Sequence, residues 1–141
     1  MRDSNTDRVV LTPKACHLCF DAMQLAIGRY DGALGVVAAV TGAVDHVSDG
    51  ERVLAVANGD PLLAAVSGTG CMSTAITGAF AAAKPAEPLA AAAEGLVAFG
   101  VAGEDAATQA RGPGTFHAAL YDALYGLDPE TLDRRARVDN A

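Results

Sequence analysis

The stretch Val66-Ser67-Gly68-Thr69-Gly70-Cys71-Met72-Ser73-Thr74-Ala75 limits the folds open to this chain more than any other. Glycine at 68 and 70 lets the backbone take positive φ and turn successive N–H groups toward one point. The small residues that follow favour a helix, whose positive N-terminal end adds to that donor cluster. Such a turn holds an anion. Cys71 falls where the helix should begin, and a thiol there is drawn toward thiolate by the helix dipole and the unpaired N–H groups. The same pattern also serves as a plain packing turn with Cys71 as a small buried hydrophobe, and spacing does not separate the two readings. It is not a Walker A loop, because no Gly-Lys-Ser/Thr ending follows.

A turn of this kind belongs at the end of a strand in an α/β sheet, and the flanking sequence supplies the strands. Gly35-Val36-Val37-Ala38-Ala39-Val40-Thr41 reads as a buried strand, with Thr41 at the C-terminal edge where open α/β sheets bind ligands. A threonine that merely ends a strand gives the same pattern. Val44 to Val47 and Arg52 to Ala57 alternate about Ser48-Asp49-Gly50-Glu51, which reads as a hairpin. Asn58-Gly59-Asp60-Pro61 forces another turn, and turn chemistry accounts for Asp45, Asp49 and Asp60 without a catalytic role.

Helices follow the glycine turn. One runs from about Gly70 to Ala83, and Pro85 and Pro88 end it and start the next. In that longer helix Leu89, Leu96, Val97, Gly100 and Val101 form one stripe, while Glu87, Glu94, Glu104 and Asp105 read as solvated surface acids. Thr115 is placed to cap a helix with Phe116, Leu120 and Leu124 inward, and Gly126 to stop it. Asp128-Pro129-Glu130 starts a last short helix.

Upstream, Phe20, Met23, Ile27 and Tyr30 recur at helical spacing, whereas Met1 to Lys14 lack any period and read as an irregular lead. Cys16-His17-Leu18-Cys19 has the spacing of half a zinc site or of a redox pair, but no second half accompanies it. The organisation expected is therefore an irregular lead over 1–20, one folded block over 21–135 and a frayed tail over 136–141.

Charge and composition exclude several classes of function. A net charge of -7, with basic residues dispersed except for Arg134, Arg135 and Arg137, argues against duplex nucleic acid. Aromatics at 5% and the lack of Trp argue against single strands. The longest apolar tract, Leu89 to Gly103, is broken by Glu94 and falls short of a membrane span. No apolar signal region follows the charged start, and the odd cysteine count of 3 fits a reducing compartment, so a cytoplasmic location is expected.

Taken together, Ala39-Val40-Thr41-Gly42-Ala43-Val44-Asp45, Ser48-Asp49-Gly50, Asn58-Gly59, Pro61-Leu62-Leu63, Ser67-Gly68-Thr69-Gly70-Cys71 and Gly112-Pro113-Gly114-Thr115-Phe116 closely resemble the hydroxyethylthiazole kinase family in order and spacing. The resemblance runs from about Asp21 to near Leu132 and corresponds to the carboxy-terminal half of that family. Asp60 stands where the family commonly has His, and Ser67 where it commonly has Thr.

That resemblance implies the carboxy-terminal part of a ribokinase-like, three-layer α/β fold: a mostly parallel sheet with a β-hairpin and Ala-rich flanking helices. It also implies transfer of the ATP γ-phosphoryl group to the hydroxyl of 4-methyl-5-(2-hydroxyethyl)thiazole in thiamine salvage, with Mg2+. By the same resemblance, Cys71 sits beside the substrate hydroxyl as base, Gly68 contacts the thiazole substrate and Thr41 contacts ATP. Backbone N–H groups of Gly68, Thr69, Gly70 and Cys71 form the anion hole. The family's Mg2+-organising residues lie in its amino-terminal portion, so no metal ligand is expected in this chain. The partner expected is a second copy, a trimer as in the family, or the missing amino-terminal half. Other readings are a phosphate- or nucleotide-binding remnant without catalysis, thiol catalysis by Cys71 with His46 or His117, and a related vitamin kinase, against which Cys71 in place of Asp speaks.

Overall fold

A computed structural model describes residues 9–12 and 36–141. The amphipathic segment from Phe20 to Tyr30 and the Cys16/Cys19 pair lie outside the described residues. Among the described residues the sheet has five strands, in the order β1 (Val9–Thr12), β2 (Val37–Val40), β3 (Asp45–Ser48), β4 (Val53–Val56) and β5 (Val138–Asn140). A 3-10 turn over Pro61–Ala64 precedes α1 (Thr69–Ala83), α2 (Pro88–Gln109), α3 (Pro113–Tyr125) and α4 (Pro129–Arg135).

Strand direction follows from connection length. β1 and β2 are parallel, with Val9 opposite Val37 and Thr12 opposite Val40. Only a few residues join β2 to β3 and β3 to β4, too few for a crossover, so both pairs are antiparallel hairpins. The second hairpin is the one expected: Gly50 has φ of 92°, and the Asp49 carboxylate accepts from the Glu51 and Arg52 N–H groups at 3.1 and 2.8 Å. β5 adds antiparallel to β4, with Ala55 opposite Asp139. The described sheet is thus α/β in its layering, but antiparallel pairings predominate over the parallel ones expected.

Two further expectations are corrected. Val9–Thr12, read as part of an irregular lead, is strand β1. Val138–Asn140, read as frayed tail, is strand β5, its side chains exposed and its backbone held by the β4 ladder. A short, polar, one-sided strand carries no hydrophobic alternation, so nothing in its sequence announces it.

The sheet buries one face against α2. Val37, Ala39, Val47 and Val56 pack with Leu89, Ala92, Ala93, Leu96, Val97 and Val101. All six α2 residues are under 5% exposed, and burying each leucine or valine stabilises by about 1.5–3 kcal/mol. The expected stripe is therefore only part of what α2 buries. Its other side, through Phe99, Ala102 and Ala106, meets Phe116 and Leu120 of α3, with Met72 and Ile76 of α1 and Leu62 and Leu63 against them. An Ala- and Gly-rich sequence allows α2 to be central, because neighbours approach its backbone closely.

A candidate phosphate-binding loop at the start of helix α1

The glycine loop follows the 3-10 turn over Pro61–Ala64 and not the end of a strand as expected, and one glycine does what two were expected to do. Gly68 takes φ of 96°, the left-handed conformation, and is the N-cap of α1. Gly70 has no positive φ and lies in the first helical turn. Met72 is the residue whose N–H bonds back to the Gly68 carbonyl, at 3.0 Å. The N–H groups of Thr69, Gly70 and Cys71 precede it in the first turn and have no intrahelical acceptor. They carry the positive end of a 15-residue helix dipole. Gly68, Gly70 and Cys71 are exposed, and Cys71 is a free cysteine. Its sulfur is therefore open to a ligand.

Thr69 differs from its neighbours. It is 7% exposed, and its Oγ1 lies 2.7 Å from the Leu63 carbonyl and 3.0 Å from that of Val66. The hydroxyl thus ties the loop to the preceding 3-10 turn and leaves only the backbone of Thr69 to face an anion. That turn is fixed in its own right, because the Asp60 carboxylate caps it by accepting from Leu62 N–H at 2.9 Å.

Thr41 stands half-buried directly after β2. The next residues bend sharply, with the Gly42 N–H donating to Asp45 Oδ1 at 2.7 Å. β1 and β2 end at the same edge, and α1 touches β1. Thr41 therefore comes from the strand edge, and Gly68 to Cys71 from the helix start.

The imidazoles weighed as partners of Cys71 are engaged elsewhere or on another element. His117 Nε2 is 3.3 Å from the Tyr121 hydroxyl on α3. His46 lies on β3 with a buried Nδ1 that has no hydrogen-bond partner among the described residues. Asp45, Asp49 and Asp60 all accept backbone N–H groups at turns, as turn chemistry requires. Thr115 is not the N-cap expected: Gly112 holds that position, and Thr115 Oγ1 accepts from Arg111 N–H at 2.8 Å.

A cluster at the Asn58-Gly59 turn escaped the sequence reading. Glu104, taken for a solvated acid, has a side chain only 21% exposed. Its Oε1 accepts from Gly59 N–H at 2.9 Å and from Asn58 Nδ2 at 3.2 Å, and it pairs with Arg137. Its Oε2 accepts from Arg135 Nη2 at 3.1 Å, while Asp105 pairs with Arg135 at 2.7 Å. Partial burial pushes the Glu104 carboxyl up, but the Gly59 N–H, Arg135, Asn58 and Arg137 together outweigh it and hold it below the ordinary range. An acid on a helix next to a second acid looks solvated in sequence, and its partners lie 31 to 46 residues away.

Among the described residues no helix is long and apolar enough to cross a membrane. A model of the hydroxyethylthiazole kinase family matches residues 19–130. A hydroxyethylthiazole kinase of Cereibacter sphaeroides is 50% identical over 120 residues, which are 85% of this chain and 45% of the relative. One from Pyrococcus furiosus is 54% identical over 103 residues, 73% of this chain and 38% of the relative. The solved hydroxyethylthiazole kinase protein of Pyrococcus horikoshii OT3 superposes with a TM-score of 0.75 at 44% identity, covering 86% of this chain and 46% of that one. The chain thus spans less than half the length of these relatives. With the family's pattern running through most of its sequence and the shared fold carrying the glycine loop, the chain belongs to the hydroxyethylthiazole kinase family.

Proposed function

We propose that this chain is the phosphoryl-gripping part of a kinase that transfers the γ-phosphoryl group of ATP to the hydroxyl of 4-methyl-5-(2-hydroxyethyl)thiazole, in cytoplasmic thiamine salvage. One observation carries the reading: the first-turn N–H groups of α1 and the exposed Cys71 thiol share a single loop. Phosphoryl transfer asks mainly for positioning and for donors aimed at developing negative charge. The N–H groups of Gly68, Thr69, Gly70 and Cys71 are assigned to the equatorial oxygens of the phosphoryl group. The Cys71 sulfur is assigned the alcohol's proton as oxygen attacks phosphorus. Gly68, lacking a side chain, leaves room for the thiazole, and Thr41 is assigned to the nucleotide.

Mg2+ is implied by the family resemblance, and among the described residues no group of three or more His, Cys, Asp or Glu could hold a metal ion. The roles assigned to this chain's own residues do not pass through it. The complement that would complete the active site is a second copy of the chain, a trimer as in the family, or an amino-terminal half.

Phosphate transfer from labelled ATP to the thiazole alcohol tests this, with the chain alone and with an amino-terminal half from a relative supplied. Turnover in either case supports the reading, and no turnover in both rejects it. The same first-turn N–H groups also carry a second reading, in which the loop binds phosphate or nucleotide without transferring it. Calorimetric titration with ATP separates the two, since saturable heat without turnover selects the second.

A further inference from the structure

The glycine loop is tied, through a series of short links, to a carboxylate on another helix and to the end of the chain. Glu104 Oε1 receives Gly59 N–H and Asn58 Nδ2, which fixes the Asn58-Gly59 turn against α2. Contact there is close, because a Cβ on Gly100 would lie 2.6 Å from Asn58 Cβ, and one on Gly103 would lie 2.8 Å from Leu63 Cδ1. Leu63, whose N–H bonds to the Asp60 carbonyl, presents its own carbonyl to Thr69 Oγ1. Thr69 adjoins Gly68. From the far side, Asn58 Nδ2 donates to the Arg135 carbonyl at 3.0 Å, Arg137 N–H donates to Asn58 Oδ1 at 2.9 Å, and both guanidinium groups pair with Glu104.

We propose that Glu104 is a positioning residue for the glycine loop, acting through the Asn58-Gly59 turn and the Leu63 carbonyl, with the Arg135–Arg137 segment as the other jaw of the clasp. A half-buried carboxylate that lost its partners would be strongly disfavoured, so turn, helix and chain end hold or release together. The loop's donors serve phosphoryl transfer when held within about 0.5 Å of the productive geometry, and a misplacement of about 1 Å costs on the order of 100-fold in rate. The catalytic consequence rests on the kinase reading, whereas the mechanical link is measurable without turnover.

The test follows amide exchange and the Gly68 amide resonance in the isotopically labelled full chain. In Glu104→Ala, exchange at Leu63 and Met72 rises about tenfold or more beyond that in a Val47→Ala control compared at equal global stability, and the Gly68 resonance moves. Glu104→Gln, which keeps an oxygen for Gly59 N–H, stays within about threefold of the parent at both amides. Thr69→Val cuts the last link, so exchange rises at Met72 and not at Leu63; this arm stands even where Glu104→Ala does not fold. The proposal is overturned by Met72 exchange in Glu104→Ala no faster than in Val47→Ala, by equal effects of the Gln and Ala variants, or by an unchanged Met72 in Thr69→Val. Failure of the kinase reading has a different signature: no turnover by the parent chain either alone or with an amino-terminal half supplied, with these exchange differences intact.

Discussion

Gly95 of α2 lies directly against Thr77 of α1: a Cβ on Gly95 would come 2.7 Å from the Thr77 Cα. Both positions are buried, and the contact sits mid-helix on each side, so neither backbone can yield locally. Gly95→Ala is therefore expected to destabilise the fold by about 1–3 kcal/mol, despite alanine's better helix propensity. Urea denaturation of the full chain measures this. A neutral or stabilising result would mean that α1 and α2 separate easily.

Acid stability should report on Glu104. Its folded carboxyl titrates below the unfolded value, because Gly59 N–H, Asn58 and the two arginines favour the charged form more than partial burial opposes it. A depressed carboxyl contributes stability that is complete above the unfolded pKa of about 4.3 and is lost as pH falls through the lower folded value. Stability of the parent is thus expected to fall on acidification below about pH 4 to 5, and Glu104→Gln to show a shallower fall over that window. Asp49 contributes in the same direction, its partial burial outweighed by the Arg52 backbone and side chain. Urea midpoints at several pH values provide the check, and parallel profiles for parent and variant would remove Glu104 as a source.

Cys71 is exposed at the start of α1, so its replacement leaves the core untouched. Cys71→Ala is expected to change stability by no more than about 0.5 kcal/mol. Under conditions where transfer to the thiazole alcohol is observed, the same variant is expected to lower kcat by about 100-fold or more, as loss of a positioned base does. Measuring kcat and the urea midpoint on one preparation separates the two effects. Unchanged kcat would leave the loop's N–H groups as the whole of its contribution.

Much of the fold was legible because its signals were local. Asp49-Gly50 announced the hairpin, Pro85 and Pro88 bracketed the break between α1 and α2, and Asp128 was recognisable as a cap that accepts Thr131 N–H at 2.9 Å. Local signals failed where the partner was remote. Val138–Asn140 becomes a strand only because β4 offers an edge, and Glu104 becomes a clasp only because the fold brings Asn58 and Arg137 to it. At the candidate site, the glycine turn was readable from two glycines and a following run of small residues. That Thr69 turns its hydroxyl inward depended on where Leu63 and Val66 point their carbonyls, which no spacing encodes.

Gly68 separates conformational cost from steric cost. Its φ is 96°, yet among the described residues a Cβ built on it would meet nothing within 4 Å. Only the backbone conformation resists a side chain there, and the left-handed region costs an ordinary residue about 1–2 kcal/mol while Asn enters it more readily. The expected order of stability is Gly68, then Gly68→Asn, then Gly68→Ala, with Gly68→Val lowest because its branched side chain tolerates positive φ least. A purely steric site would rank these variants by volume and place alanine above asparagine. Urea denaturation of the series decides between the two orders. If alanine proves the milder change, the left-handed cap is not what holds the first-turn N–H groups of α1 outward.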